Sequence, residues 1–215
     1  IMKNIYFKLA ETGNSVSGVV LATVVSVSGS TPQKPGSSAI FSNGRLIAGT
    51  VGGGVIENRV ALYASSCHEG KESALLTYHL DKETNNPEEA VCGGVITILV
   101  DGDPLANLQA FREMEQGIRA GQAGVLVTRV VPWNDTIVMI KRCWATGTCD
   151  LQLPGNNMQR INEEVQRILV TGSRSDYRQL DIAIPGEQCN AKLFLEPVFP
   201  PQQLVIAGAG HVGRA

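Results

Sequence analysis

Apolar positions along the chain alternate between a repeat of roughly 3.6 residues and a repeat of roughly two, with short apolar runs between. Met2, Ile5, Tyr6 and Leu9 share one helical face, and Gly13 is a natural stop. Val19 to Val27, rich in Val and Thr, predicts a strand that runs into the turn cluster Ser28-Gly29-Ser30-Thr31-Pro32. Ser38 to Phe41 and Arg45 to Ala48 flank Asn43-Gly44, a pair whose tolerance of positive φ predicts a type I′ hairpin. Past the glycine run 49–54, Ile56, Val60 and Tyr63 lie on one face of a helix over Val55–Ala64. Ala74 to Leu80 predicts a strand, 81–90 an acidic loop, and Gly94 to Val100 a buried strand. Asp103 and Pro104 suit the N-cap and first position of a helix from about Leu105 to Ala120. Ala123 to Val131 and Thr136 to Cys143 predict a strand pair. Met158, Ile161, Val165, Ile168 and Leu169 mark a helix ending near Gly172. Leu180 to Ile184 and Ala191 to Leu195 are the last strand-like stretches before Pro197 and Pro200-Pro201. Strands and helices interleave without a strict βαβα rhythm. The expected fold is therefore α/β (mixed α+β), a mixed sheet with flanking helices over 1–199.

Composition narrows the function classes. A chain of 215 residues with 43% hydrophobic and 18% charged side chains has enough apolar matter for a packed core. A net charge of −2 argues against electrostatic binding to nucleic acid or anionic membrane, and 5% aromatics argue against base stacking. The longest apolar run, about Val95 to Val100, falls far short of the roughly 18 residues of a spanning helix. Phe7-Lys8-Leu9-Ala10-Glu11-Thr12 is too polar for a signal peptide, so a soluble, cytoplasmic protein is expected. Five cysteines without a Cys-x-x-Cys pair argue against a disulfide framework or zinc ribbon, although Cys143 and Cys149 can approach each other. Adjacent on a helix, Cys67 and His68 diverge and make a poor metal pair. Glu163 and Glu164 read as a solvated helix face.

Chemistry concentrates where glycine does. Gly52, Gly53 and Gly54 open a helix that also carries Glu57, and such a start can aim backbone N–H groups at an anion. Ser30, Thr31, Lys34, Gly36 and Ser37 form a loop with hydroxyls and one cation, and the hairpin makes it a neighbour of the glycine run. Turns and close backbone packing account for the same glycines equally well. Cys92 precedes Gly93 and Gly94, which leave its sulfur accessible and bring amides near it. It is either a reactive thiolate or a small packed hydrophobe. Pro200-Pro201 reads as a linker, and 200–215 as the first strand and glycine turn of a Rossmann-like domain. There Gly208-Ala209-Gly210-His211-Val212-Gly213 follows the apolar stretch Leu204 to Ala207. Without the following helix and acidic residue, no NAD binding is expected of these 215 residues, and the motif reads as the stub of a second domain. An NAD(P)-dependent oxidoreductase fragment is the competing class, and a ligand-free docking module a third.

Gly29 to Ser37, the hairpin, Gly49 to Glu57, Cys92-Gly93-Gly94 and the stretch from Glu196-Pro197 to Gly213 occur together in that order. In this they resemble the XdhC/CoxI family of xanthine dehydrogenase accessory proteins. The resemblance implies a chaperone rather than an enzyme. Such a protein binds and protects the molybdenum cofactor, assists its sulfuration and helps insert it into a xanthine dehydrogenase-type hydroxylase. The implied partners are that hydroxylase, a cysteine desulfurase and, as a homo-oligomer, further copies of the chain. On this reading molybdopterin sits against Ser30, Thr31, Lys34, Gly36, Ser37, Gly52, Gly53, Gly54, Glu57, Gly93 and Gly94. Cys92 then lies beside the molybdenum as a thiolate.

Overall fold

The computed structural model describes residues 5–12, 18–80, 93–134, 136–173, 175–184 and 190–201. Within them lie helices α1 (Ile5–Thr12), α2 (Gly54–Gly70), α3 (Leu108–Arg119) and α4 (Gly155–Thr171). The strands are β1 (Val19–Ser28), β2 (Ser38–Ser42), β3 (Arg45–Gly49), β4 (Ala74–His79), β5 (Val95–Asp101), β6 (Gly124–Pro132), β7 (Val138–Ala145), β8 (Arg178–Ile182) and β9 (Ala191–Val198). They form two sheets, ordered β3-β2-β1-β5-β4 and β7-β6-β9-β8. The fold is α+β. Every ladder between these strands is antiparallel, so the expected mixed sheet gives way to two antiparallel ones. The reason is the path of the connections: α2 carries the chain from one edge strand of the first sheet, β3, to the opposite edge, β4, so no helix links neighbouring parallel strands.

Period-two alternation sorts the residues of β1 between two cores. Val20, Ala22 and Val24 pack with Phe41, Ile96 and Ile98 beneath Ile56, Val60 and Ala64 of α2. Leu21 faces the other way, toward Tyr6 and Leu9 of α1, Phe111 and Met114 of α3, and Leu126 and Val198 of the second sheet. Val25 and Leu99 meet Val130 and Phe194 across the same gap. On its far face the second sheet buries Val125, Val127, Leu193 and Leu195 against Ile161, Val165 and Ile168 of α4. The layers therefore run α2, first sheet, an inter-sheet layer holding α1 and α3, second sheet, α4.

Local sequence explains most boundaries. Asn43 and Gly44 take φ of 49° and 70°, as the hairpin turn requires. Gly172 closes α4 in the left-handed conformation at φ 63°. Two expectations change. The helix expected from Leu105 begins instead as a 3-10 turn over Pro104–Asn107, and Asp103 makes no side-chain cap. Tertiary bonds take the capping groups: Asp103 pairs with Lys71 at 3.1 Å, and Asn107 Oδ1 accepts from the Arg142 amide at 2.8 Å. Pro197 does not end the last strand but lies within β9. The β8 ladder stops at Leu195, so at Pro197 the strand has only β6 beside it, paired through Val125.

Cys143 and Cys149 form a disulfide with Cα atoms 6.1 Å apart, one short cross-link rather than a framework. It fastens the loop after β7, which α4 also holds through Asn162 to the Cys149 amide and Gln166 to the Gly147 carbonyl. Glu164 departs from the solvated face expected of it. Its side chain is 14% exposed and bridges Arg167 at 2.6 Å and Arg178 at 2.7 Å.

Phe111 is fully buried in the inter-sheet layer, stacked on Tyr6 with ring centroids 5.4 Å apart. Phe111→Ala is expected to lower stability by about 3–5 kcal/mol, read as a fall in the urea midpoint without a change in slope.

Candidate functional site

Antiparallel pairing places the glycine-bearing segments side by side. The end of β1, the start of β2, the end of β3 and the start of β5 all lie at one end of the first sheet. The loop 29–37 thus faces both the 50–53 turn and the strand entry at Gly93-Gly94. A Cβ on Gly94 would stand 2.3 Å from the Ser30 carbonyl oxygen and 2.6 Å from that of Ser28. Gly94 is therefore fixed by backbone crowding. A Cβ on Gly52 would lie 3.4 Å from Pro32. Around Gly53, Gly54 and Gly93, by contrast, a Cβ would meet nothing within 4 Å among the described residues, so no described side chain crowds this end of the sheet. Gly53 and Gly54 also hold positive φ, 69° and 50°.

The loop's side chains divide into those that shape it and those that face out. Thr31 Oγ1 donates to the Gln33 carbonyl at 2.8 Å, and Ser37 Oγ donates to Gln33 Oε1 at 2.9 Å. Ser30 and Lys34 are exposed, and Lys34 has no ion-pair partner among the described residues. Gly36 donates its N–H to the Val24 carbonyl, which holds the loop on β1. At the helix start, Glu57 Oε1 accepts from Thr50 Oγ1 at 2.5 Å, Val51 N at 3.2 Å and Gly53 N at 3.1 Å. Two of the amides that the glycine run offers an anion are thus met by the chain's own carboxylate, a side-chain cap from the first turn. Cys92 lies outside the described residues, as do 202–215 with the glycine-rich turn of the expected second domain.

Beneath this loop lies a polar cluster that the sequence reading missed. Tyr6 donates to Glu196 Oε2 at 2.7 Å and shares a hydrogen bond with Ser38 Oγ at 3.0 Å; Ser38 in turn donates to Thr23 Oγ1 at 3.1 Å. Arg142 of β7 forms an ion pair with Asp101 of β5, both side chains at most 3% exposed, and its guanidinium lies 5.5 Å from the Phe111 ring centre. Tyr6, Thr23, Arg142 and Glu196 of this cluster, with Thr128, Tyr177 and Phe194, line a cavity of about 10 Å³. Gly36 lies close to two of these residues: a Cβ there would stand 3.6 Å from Tyr177 and 3.7 Å from Glu196. The readable signal was alternation. Phe194, Glu196 and Val198 share the inward face of β9, so a carboxylate stands where the pattern calls for an apolar side chain.

Burial raises the Glu196 carboxyl to about 7, against a lowering pull from the Tyr6 hydrogen bond and the Arg142 charge. The Tyr6 and Tyr177 hydroxyls are pushed well above the ordinary phenol range by burial and then by the Glu196 charge. On the surface, the Arg178 hydrogen bond holds Asp176 below its usual value. A larger open groove of about 750 Å³ runs along α4 beside Gly147 and Thr148, and none of the expected site residues lines it.

The raised Glu196 value makes stability depend on pH. The folded chain keeps a proton that the unfolded chain loses above the usual carboxylate value of 4.5. Stability therefore falls as pH rises from 4.5 to about 7, by on the order of 3 kcal/mol, and levels off above. Glu196→Gln keeps an acceptor for Tyr6 and removes the charge. Urea unfolding over a pH series is expected to show the variant gaining on the wild type across that window and remaining the more stable at pH about 8.

No curated protein matches the chain. The crystal structure of a xanthine dehydrogenase from Bacillus halodurans has the same fold, with a TM-score of 0.62 and 18% identity. The match covers 91% of this chain and 53% of that one, so this chain spans about half the length of that protein. The model of the XdhC and CoxI family matches residues 15–79, the stretch holding β1 to β4, the 29–37 loop and the glycine run. Over residues 15–79 the chain is thus similar to the XdhC and CoxI family.

Proposed function

We propose that this chain is an accessory protein that binds the molybdenum cofactor and helps deliver it, in sulfurated form, to a xanthine dehydrogenase-type hydroxylase. The observation that carries this reading is the convergence of three glycine-bearing segments at one end of the first sheet. Among the described residues that end is open over Gly53, Gly54 and Gly93 and bordered by the exposed Lys34 and Ser30. Molybdopterin has a phosphate and a flat polar pterin. A glycine surface without side chains suits the flat ring, and a lysine with nearby helix-start amides suits the phosphate. Glu57 bonds Val51 and Gly53, so a bound phosphate would sit toward Lys34 and away from that carboxylate. Ser37 and Thr31 keep the loop in shape, and Gly36 and Gly94 allow its close approach to the strands. Cys92, next to the open Gly93, is the thiolate assigned to the molybdenum side of the ligand. A hydroxylase and a cysteine desulfurase are the partners this role requires, and self-association is part of the same proposal.

Protein from a cofactor-producing host is expected to release a fluorescent oxidised pterin on acid treatment. Lys34→Ala is expected to weaken pterin retention by on the order of 1.5–3 kcal/mol, the loss of one charge-assisted contact. A wild-type protein that neither carries pterin nor takes it up would overturn the proposal. Cys92→Ser is expected to reduce co-purified molybdenum while pterin content partly survives. Equal metal content in both proteins would remove Cys92 from the role.

A further inference from the structure

The hairpin that joins β6 to β7 carries a surface that the fold does not use. In its ladder Arg129 stands opposite Lys141, and Val131 opposite Met139. Alternation puts both pairs on the face whose earlier part, Val125 and Val127, is buried under α4. That cover stops short of the hairpin's end, where Met139 is 47% exposed. Trp133, directly after β6, is 69% exposed. Its N–H donates to the Ile137 carbonyl at 2.9 Å, and Asn134 Oδ1 accepts from the Thr136 and Ile137 amides at 2.9 and 2.8 Å. The turn is therefore set in advance, and it displays the indole at low entropic cost to a contact.

The charges beside it are as telling. Like charges directly opposite on neighbouring strands weaken a sheet. Arg129 donates to the Leu151 carbonyl at 3.1 Å, and among the described residues neither it nor Lys141 has an ion-pair partner. Asp135 of the same turn lies outside the described residues. Two facing cations and an exposed indole do little for stability, whereas a partner bearing carboxylates gives all three a role. Nucleic acid and anionic membranes are held by many cations, and this surface offers two. A second copy meeting the same face about a two-fold axis would bring like cations together. Tryptophan and arginine are, moreover, residue types that dominate binding energy at protein contacts.

This surface stands apart from the glycine segments. The Val138 N–H at the start of β7 donates to the Ser73 carbonyl at 2.8 Å. Ala74, the next residue, pairs with Val100, at the opposite end of β5 from Gly93 and Gly94. We propose that the tip of the β6–β7 hairpin docks an acidic segment of a partner protein, with Trp133 as the apolar anchor and Lys141 and Arg129 pairing with the partner's carboxylates. Both ends of the molecule can then be occupied at once, and the assignment stands whether or not the glycine end binds a pterin.

The probe is a capped peptide with glutamates on both sides of a central Phe-Leu pair, titrated at low salt into the isotope-labelled full chain and followed by NMR. It is expected to shift the Trp133 indole and the amides of 129–141 and to leave those of the glycine segments in place. The same peptide with glutamine for glutamate is expected to bind about tenfold more weakly, as is the glutamate peptide to Lys141→Glu. Lys141→Glu is expected to unfold at no lower urea concentration than the wild type, because it removes a like-charge pair. Trp133→Ala, at an exposed position, supplies the second arm and is expected to lose about tenfold in affinity. Absence of shifts at the hairpin, or equal binding of the glutamine peptide, overturns the docking surface. A clear loss of stability in Lys141→Glu makes that cation part of the fold and overturns it likewise. Phosphatidylserine vesicles that bind the chain through Trp133 more tightly than the peptide does would give the face to a membrane. A dimer that Trp133→Ala abolishes would give it to self-association. Either result also overturns the proposal.

Discussion

The Asp101–Arg142 pair is the constraint around which the two sheets are arranged. Asp101 ends β5 in the first sheet and Arg142 lies in β7 of the second, so their bond fixes how the sheets face each other. Two buried charges are tolerated only when geometry and further bonds offset lost hydration. The structure supplies those bonds. Ser73 and the Asp103 amide serve Asp101, and the Phe111 ring covers the guanidinium. Removing one partner would leave the other charged and stranded, whereas replacing both with apolar residues would mainly loosen the specified orientation. Beside the pair, Tyr6 ties α1 to β2 and β9 together through Ser38 and Glu196. The inter-sheet layer is therefore apolar at Leu21, Phe111 and Met114 and polar at its other end.

That division separates two jobs. The faces covered by α2 and α4 are ordinary apolar cores that hold the sheets rigid. The polar end of the middle layer lies directly under the loop that borders the open glycine edge. The loop is fastened there by Gly36 N–H to the Val24 carbonyl, Val24 N–H to the Ser37 carbonyl and Ser38 Oγ to the Gly36 carbonyl.

Much of the fold was legible in the sequence because local rules decided it. The Asn43-Gly44 hairpin, the faces of α1 and α4, and the glycine stop at 172 follow from spacing and backbone permissiveness. The convergence of the glycine segments was partly legible: the hairpin makes 29–37 and 49–54 neighbours, but the place of Gly94 depends on β5 pairing with β1 from about seventy residues away. What escaped was tertiary. Asp103 looked like a cap until Lys71 took its carboxylate, and Glu164 looked solvated until Arg178 folded over it. Pro197 looked like a strand end because nothing local reveals that β8 stops short of it. The polar cavity between the sheets escaped because its members come from positions 6, 23, 128, 142, 177 and 196, which no window along the chain unites.

The order of the strands also sets the order in which the molecule can be assembled. During synthesis β4 emerges before β5, the one strand it pairs with among the described residues, and β1, already paired with β2, waits for the same partner on its other side. The family-matched stretch 15–79 ends at β4, so it leaves a three-stranded meander, β1 to β3, and an unpaired β4 until the next segment arrives. In the second sheet, β6 must likewise wait for β9. Pairings this distant in sequence are entropically slow to form, and the nascent chain spends that interval with unpaired apolar strands. Both sheets are therefore completed late, the first by β5 and the second by β9.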